Sequence, residues 1–383
     1  MHYVDGNRLT LLRNGEQYFP ALAEAIDSAR VDVFLETYIF ADDETGSLVA
    51  DALARAAGRG VAVHLLIDGF GARDFAPRFR TMLRQAGAEV LVFRPKVSLW
   101  GLHRNRLRRM HRKLACVDGL SAFVGGINVI DDYEAPAQAP PRFDYAVRIE
   151  GPLAAEVRSE AARLWLRVAW STRRARLPAP VRPAAMPLAD GQRAALVVRD
   201  SFRHRRDIED AYLEHIDAAR EEILIAVAYF FPGRRFRRAL VSAAQRGVRV
   251  VLLLQGRVEY VVPHYASRAL FGSMLDAGIR IEEYSRSFLH AKVAVFDGCR
   301  CCVGSSNIDP FSLLLAREAN VFVDDARFSA ELHASLQDAM RSGARPLPPQ
   351  EWKRRALWRR AWNWIAYGIA RLMIGFASYE RYH

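Results

Sequence analysis

The sequence predicts an α/β protein made of two pseudo-symmetric repeats, each a mostly parallel mixed sheet flanked by helices, which pack together to form one site. Amphipathic helices alternate with short strands rich in β-branched residues, a pattern typical of parallel sheets covered on both faces. The same order of elements occurs in the first and the second half of the 383 residues. One pattern of polar and small residues also occurs in each half, at the same place in that order.

Hydrophobic periodicity indicates the individual elements. In the first half they are predicted as helix 17–29, strand 31–40, helix 48–59, strand 61–67, helix 79–86 and strand 89–93. The second half repeats the order with helix 208–220, strand 222–229, helix 235–246, strand 248–254 and strand 280–284. Gly60, Gly87 and Gly247 follow three of these helices, as expected of residues that end a helix.

The spacing of the elements divides the chain into four parts. We predict a first repeat at 1–175, a linker at 176–195, a second repeat at 196–345 and a basic, Trp-rich tail at 346–383. The first repeat carries an insertion before His111, and its residues 94–110 include no acidic side chain. This composition favours either a solvated basic loop or a basic edge of the site that binds anionic head groups.

The repeated pattern has fixed internal spacing and recurs after 179 residues. Its members are His111, Lys113, Asp118, Gly125, Gly126 and Asn128 in the first half, and His290, Lys292, Asp297, Gly304, Ser305 and Asn307 in the second. Six residues that recur at the same offsets in both halves are too many for a chance match. Two related halves are therefore expected to contribute one histidine and one lysine each to a common phosphate site.

These residue types fit the chemistry of a phosphate ester. Histidine and lysine two positions apart on a strand point to the same side and can contact one ligand. One histidine can attack phosphorus while the other protonates the leaving oxygen and deprotonates the incoming hydroxyl. The lysines and the amides of Asn128 and Asn307 can stabilise phosphoryl oxygens, so neither a metal nor another cofactor is expected. Asp118 and Asp297 are grouped with the catalytic residues, although their position before a glycine favours bracing a turn.

Three further carboxylates are candidates for the site. Asp144 follows His111 by 33 residues and Glu318 follows His290 by 28, each just before an apolar run. A carboxylate at the far ring nitrogen fixes the tautomer of a catalytic histidine, which is the role considered for both. Glu36 has only apolar residues at its counterpart, 226–228. It either contacts the glycerol of a substrate or forms a salt bridge at a strand end.

The composition favours an anionic partner. The 55 Lys and Arg exceed the 43 Asp and Glu by 12, a balance that attracts nucleic acid, phosphometabolites or an acidic lipid surface. The four cysteines are expected to be buried thiols in a reducing compartment. Residues 1–7 lack a basic leader followed by an apolar core, so we expect no signal or N-terminal anchor and a catalytic body that faces the cytoplasm.

The tail interleaves basic residues with tryptophans. Residues 351–383 hold seven basic and two acidic side chains, and an apolar stretch within them is interrupted by Arg371. A charge at that place makes a poor transmembrane span. Aromatic and basic residues together are typical of the head-group layer, so the sequence favours an interfacial helix. The alternative is a helix that packs on the protein body.

The duplicated H-x-K-x4-D-x6-G-G/S-x-N pattern resembles that of the phospholipase D superfamily, and both copies are complete. The resemblance covers roughly residues 5–340, since the stretches 33–38, 144–148 and 317–321 are also similar, in particular to the short branch of bacterial cardiolipin synthases. It implies that His111 is the nucleophile and His290 the general acid and base. It further implies a phosphate-binding role for Lys113, Lys292, Asn128 and Asn307, and a histidine-orienting role for Asp144 and Glu318.

The same resemblance implies cardiolipin synthesis, in which one phosphatidylglycerol forms a phosphohistidine and a second accepts the phosphatidyl group. It implies no cofactor, no nucleic acid, no obligate protein partner, and a peripheral place on the cytoplasmic face of a bacterial inner membrane. Three alternatives remain: a phospholipase D-type hydrolase, a transphosphatidylase with another donor such as phosphatidylethanolamine, and a metal-independent nuclease. The Trp-rich tail favours lipid over nucleic acid.

Overall fold

A computed structural model describes residues 1–73, 75–95, 108–133, 141–172, 186–200, 203–259, 261–354, 362–369 and 371–372. The first repeat contains β1 (Val4–Arg13), α1 (Asn14–Ser28), β2 (Asp32–Ile39), α2 (Glu44–Gly58), β3 (Ala62–Gly71), α3 (Pro77–Gln85), β4 (Glu89–Phe93), β5 (Lys113–Val117), β6 (Ser121–Gly125), β7 (Tyr145–Glu150) and α4 (Pro152–Ser171). Most of the insertion before His111, at 96–107, lies outside the described residues, so its predicted role stays a prediction.

The second repeat has the same order and then extends into the predicted tail. Its elements are β8 (Gln192–Arg199), α5 (Asp207–Ala218), β9 (Glu222–Val227), α6 (Arg234–Gln245), β10 (Arg249–Gln255), α7 (Val261–Arg268), α8 (Phe271–Asp276), β11 (Arg280–Tyr284), β12 (Lys292–Phe296), β13 (Arg300–Gly304), α9 (Pro310–Leu314), β14 (Glu318–Asp324), α10 (Ala326–Gly343), β15 (Ala344–Pro346) and α11 (Pro349–Lys353). The mixed α/β class and the duplication are therefore confirmed.

The strands form one sheet of 15, in the order β15-β11-β10-β9-β12-β13-β14-β8-β1-β7-β6-β5-β2-β3-β4. Only β2–β3–β4 and β9–β10–β11 pair in parallel, and the other neighbours are antiparallel. The prediction of mostly parallel sheets is wrong. A tight turn follows each motif strand, so β5 pairs with β6 and β12 pairs with β13 as antiparallel hairpins. The N-terminal strand β1 and its partner β8, which sequence periodicity did not indicate, join the two halves.

An apolar layer shared by both repeats holds the motif strands together. Leu114 of β5 and Val147 of β7 belong to the same buried cluster as Val293 of β12 and Val321 of β14. Two other clusters cover the outer faces, one for each repeat. Burial of such side chains stabilises by roughly 1.5–3 kcal/mol each, so the shared layer fixes the two motifs against one another.

Asp118 and Asp297 sit in the turns that end β5 and β12, at the opposite end of each strand from the motif lysine. Asp118 has φ +54° and accepts from the backbone N–H groups of Arg30, Val31 and Asp32. Asp297 accepts in the same way from residues 220–222. A five-residue strand separates each aspartate from its lysine by about 16 Å. The contacts of both aspartates are those expected of residues that brace a turn, and their catalytic grouping stays a prediction.

Replacing Asp118 with Ala should destabilise the fold by about 1–3 kcal/mol, because three backbone N–H donors lose a charged acceptor. Urea unfolding of Asp118→Ala measures this change. Asp27→Ala is the matched control, since Asp27 pairs with Arg55 on the exposed surface at 2.7 Å and should contribute less than about 1 kcal/mol. A folded Asp118→Ala protein that lost turnover as completely as His111→Ala would contradict the bracing role.

Candidate active site

His111 and Lys113 stand where β5 begins, held there by backbone contacts. The N–H of His111 donates to the carbonyl of Arg317 at 2.9 Å, and Lys113 Nζ donates to the carbonyl of His111 at 2.6 Å. The second motif is built alike: the N–H of His290 donates to the carbonyl of Phe143 at 2.8 Å, and Lys292 Nζ donates to the carbonyl of His290. Each motif histidine is thus anchored on the chain of the other repeat.

The two histidine–carboxylate pairs cross between the repeats. His111 Nδ1 lies 2.9 Å from Glu318 Oε1, and His290 Nδ1 lies 2.6 Å from Asp144 Oδ2. With a carboxylate as acceptor, Nδ1 carries the proton in both rings. That assignment leaves each Nε2 as the nitrogen directed to a ligand. The predicted members of both pairs are brought together, but each carboxylate serves the histidine of the other half.

The backbone explains this exchange. Residues 110 and 317 form a short parallel bridge, and so do residues 143 and 289. Glu318 comes one residue after the first bridge, and Asp144 comes one residue after the second. Each therefore emerges beside the motif histidine across the bridge. Motif spacing identified these four residues, but it held no information about which carboxylate crosses to which histidine.

The small residues of the motif make room for the carboxylates, differently in each half. A Cβ atom at Gly126 would clash with both carboxylate oxygens of Asp144. At the matching position, Ser305 instead donates its hydroxyl to Glu318 Oε2 at 2.6 Å. The sequence marked Ser305 only as a small residue. In the structure it is a further positioning residue, one step removed from His111.

The backbone orients the side-chain amides of Asn128 and Asn307. The side-chain oxygen of Asn128 accepts from the N–H of Ile39 at 3.2 Å, and that of Asn307 accepts from the N–H of Tyr229 at 3.4 Å. The acceptor end of each amide is therefore used by the protein. Its NH₂ group is the end suited to donate to a phosphate oxygen, as the sequence predicted of both residues.

Burial dominates the electrostatics of the site. Desolvation lowers the pKa of Lys113 to about 7 and that of Lys292 to about 8, and it raises the pKa of Asp144 to about 6. Desolvation also lowers the pKa of His111, and that of His290 further, with Lys292 and Arg142 as added causes. Charges of like sign are thus concentrated in a site that an anion would neutralise.

Two residues at the edge of the site carried no signal as site residues in the sequence. The ring of Tyr38 lies 5.0 Å from that of His111 and 5.4 Å from Lys113 Nζ. Asp68 is fully buried and accepts from the N–H of Met110 at 2.8 Å, which fixes the chain just before His111. Tyr38 corresponds by strand register to Ala228 of the second repeat, so the aromatic contact exists at this position only around His111.

Glu36 is part of a buried ion pair. Arg112 donates through Nε and, at 2.8 Å, through Nη2 to its carboxylate. Both side chains are about 2% exposed. The salt-bridge interpretation of Glu36 is confirmed, and a carboxylate buried in this way presents almost no surface to a substrate glycerol. Arg112 lies between His111 and Lys113 on the strand and points to the opposite face, which keeps the two motif side chains on the ligand side.

Comparison with known proteins agrees with the duplicated site. A family model described as "Cardiolipin synthase, PLD-like domain" matches residues 22–165 and 212–340, one segment in each repeat. Cardiolipin synthase B of Escherichia coli K12 is 36% identical over 376 residues, which cover 96% of this chain and 88% of that protein. Cardiolipin synthase A of Yersinia pestis is 31% identical, over 97% of this chain and 76% of that protein.

The fold also matches a solved structure. Phosphatidylserine synthase of Haemophilus influenzae superposes with a TM-score of 0.73 at 13% identity, covering 97% of this chain and 94% of that one. Fold and site together define a protein with two PLD-like repeats and one composite centre. The chain belongs to the cardiolipin synthase family of PLD-like proteins.

Double-mutant cycles should detect the crossed pairs. We expect His111→Ala and Glu318→Gln to show a coupling in unfolding free energy of about 1 kcal/mol or more, and likewise His290→Ala and Asp144→Asn. The same-repeat combinations, His111 with Asp144 and His290 with Glu318, are the matched controls and should couple less. Urea unfolding at neutral pH measures all four cycles. Stronger coupling within a repeat would refute the exchange of carboxylates.

The pH dependence of kcat/KM should form a narrow bell. Asp144 must be ionised, so the acid side should fall below about pH 6, and Lys113 must be protonated, so the alkaline side should fall above about pH 7. Lys113→Arg keeps its charge at higher pH and should extend the alkaline side, at a lower maximal rate. A parent profile that stayed flat to pH 9 would contradict the buried-lysine assignment.

Proposed function

We propose that this protein is a phosphatidyltransferase that makes cardiolipin and glycerol from two molecules of phosphatidylglycerol. The observation that carries the proposal is a pair of histidines from the two repeats, each with Nδ1 on a buried carboxylate and each followed two residues later by a buried lysine. Such an arrangement suits two successive displacements at one phosphorus. Membership of the cardiolipin synthase family supports the identity of the lipid substrates.

His111 is the proposed nucleophile. Its Nε2 lone pair attacks phosphorus of the first phosphatidylglycerol, the bond from phosphorus to the head-group oxygen breaks, and His290 gives that oxygen a proton. Glycerol leaves and the phosphatidyl group stays on His111. Nδ1–H of His111 donates to Glu318 throughout, which stabilises the positive ring that forms on attack.

In the second step of the reaction, the roles of the two histidines are reversed. His290, now without its extra proton, takes the proton of a hydroxyl on the second phosphatidylglycerol. That oxygen attacks phosphorus, and the bond to His111 Nε2 breaks. Cardiolipin is released and both histidines return to their starting protonation. Lys113, Lys292 and the NH₂ groups of Asn128 and Asn307 are placed to stabilise the phosphoryl oxygens in both steps.

Substrate binding itself would prepare His290 as an acid. The charges that depress the pKa of His290 include Lys292, Arg142 and Lys113. A bound phosphodiester carries a negative charge that offsets them, so the proton affinity of His290 rises when the lipid arrives. The free site then holds His290 neutral, and the occupied site can hold its acidic form.

We also propose that the protein works as a peripheral protein on the cytoplasmic face of a bacterial inner membrane. No helix within the described ranges is long and apolar enough to cross a bilayer. The positive balance of 12 and the basic tail favour an anionic lipid surface. Part of the tail packs on the body instead: Trp352 is buried and lies 5.5 Å from Phe271, ring to ring. The lipid contact is therefore assigned to residues after 360.

Incubation with head-group- and acyl-labelled phosphatidylglycerol in vesicles tests the reaction. We expect cardiolipin and free glycerol in equal amounts. Free phosphatidic acid without cardiolipin would indicate a hydrolase, and cardiolipin only when phosphatidylethanolamine is added would indicate another donor. Cleavage of nucleic acid without metal, together with no lipid product, would favour the nuclease alternative.

His111→Ala should abolish turnover, by well over the roughly 10²–10⁴-fold typical of an acid or base group. His290→Ala should slow both steps and let the phosphatidyl-enzyme accumulate, with the modification mapped to His111 by mass spectrometry. His204→Ala is the matched control, because His204 also contacts a carboxylate, Asp207 at 2.7 Å, but on the exposed surface. A covalent adduct on His290 would reverse the proposed roles.

A further inference from the structure

The helical residues 362–369 present one apolar face to solvent. Trp362 and Ile365 are each 51% exposed and Ile369 is 43% exposed. Their spacing of three and four residues places them on one side of a helix, and Leu372 continues the same line. Five apolar side chains in this short segment, counting Trp364, are exposed. The surface of a soluble protein rarely carries an apolar stripe of this kind.

The opposite face of this helix fixes it beside the candidate active site. Asn363 and Ala366 are buried, and the ring of Tyr367 lies 5.4 Å from that of Phe231. Phe231 in turn donates its N–H to the carbonyl of Ile308 at 2.8 Å, one residue beyond Asn307. The apolar stripe is thus anchored to the segment that carries a phosphate-binding amide.

The first repeat exposes an aromatic ring at its own side of the site. Phe70 is 45% exposed and stacks on Tyr38 with ring centroids 6.0 Å apart. Tyr38 contacts His111, so a continuous line of rings runs from the histidine to the surface. The guanidinium of Arg73 lies 5.0 Å above the Phe70 ring. An aromatic ring with a cation beside it is a combination typical of the lipid head-group layer.

The loop after β10 adds two more exposed apolar residues, Val258 and Val261. Strands β9 and β10 are parallel, so both end at the same edge of the sheet. His290 and Lys292 stand at that edge, because β12 begins there and runs antiparallel to β9. Exposed apolar residues from both repeats and from the tail therefore surround the same edge.

We propose that Phe70, Val258, Val261, the exposed face of 362–369 and Leu372, together called the apolar rim, dock the protein on an anionic bilayer with the active site facing the head groups. This inference rests on the proposed function for the identity of the substrate. It adds which surface of the protein contacts the bilayer that holds the substrate. A phosphodiester at the membrane surface would reach His111 while its acyl chains stay in the bilayer.

Charge selects a bilayer over a second copy of this chain. Arg73 flanks Phe70 and Arg371 lies within the tail segment, on a protein with an excess of 12 positive charges. Two such faces would repel one another. An anionic lipid surface attracts them, while the apolar side chains enter the head-group boundary.

The test measures binding separately from turnover. In a His111→Ala background, Trp362→Ser/Ile365→Ser/Ile369→Ser is compared with its parent by sedimentation with phosphatidylglycerol-containing vesicles. We expect binding at least tenfold weaker. Leu120→Ser is the matched control, because Leu120 is also about half exposed but lies in the turn at the far end of β5, and its binding should be unchanged. Phe70→Ser tests the rim from the first repeat and should weaken binding without touching the tail helix.

A second readout separates docking from catalysis. With His111 intact, the triple tail variant should retain turnover of short-chain, monomeric phosphatidylglycerol and lose it on vesicles. Vesicle binding equal to that of the parent, or an equal loss in Leu120→Ser, would overturn the proposal. The proposal would also be overturned if light scattering showed a dimer that the tail substitutions convert to monomers while vesicle binding is unchanged. If no cardiolipin forms but binding still depends on the rim, the proposed reaction fails and the docking surface stands.

Discussion

The site depends on one interaction made twice: a partly exposed imidazole whose N–H donates to a buried carboxylate of the other repeat. Removing water from Asp144 and Glu318 is unfavourable unless donors replace it, and the histidine, Tyr145 N–H and Ser305 hydroxyl supply them. Because the partners come from different halves, neither repeat contains a complete catalytic pair. The shared apolar layer and the β1–β8 junction therefore serve the chemistry directly, since they hold the two halves in register.

The same burial makes the site suited to an anion. Lys113 and Lys292 are almost wholly removed from water, which weakens their hold on protons and leaves their positive charge poorly compensated. A phosphodiester supplies the missing negative charge in a place where water cannot compete. Fixed side chains thus prepare the pocket for a phosphoryl group before any ligand arrives, as electrostatic stabilisation of a transition state requires.

Sequence periodicity and motif spacing predicted the duplication, most helices and strands, and the residues that the structure gathers at the site. They did not predict the direction of strand pairing: the Asp118–Gly119 turn was recognised, but periodicity does not show which strands become neighbours in the sheet. Glu36 was ambiguous because its partner, Arg112, points away from the motif face. The crossed pairs depend on bridges between residues more than 140 positions apart, and local patterns hold no record of such contacts.

The exchange of carboxylates has a consequence for the life of the nascent chain. His111 is made early, whereas Glu318 begins β14, the next-to-last strand in the described part of the chain. A polypeptide still attached to the ribosome can thus fold the strands of its first repeat before His111 has its carboxylate partner. An incomplete chain therefore cannot act on membrane lipids, because the two histidine–carboxylate pairs form only when nearly the whole chain has been synthesised and folded.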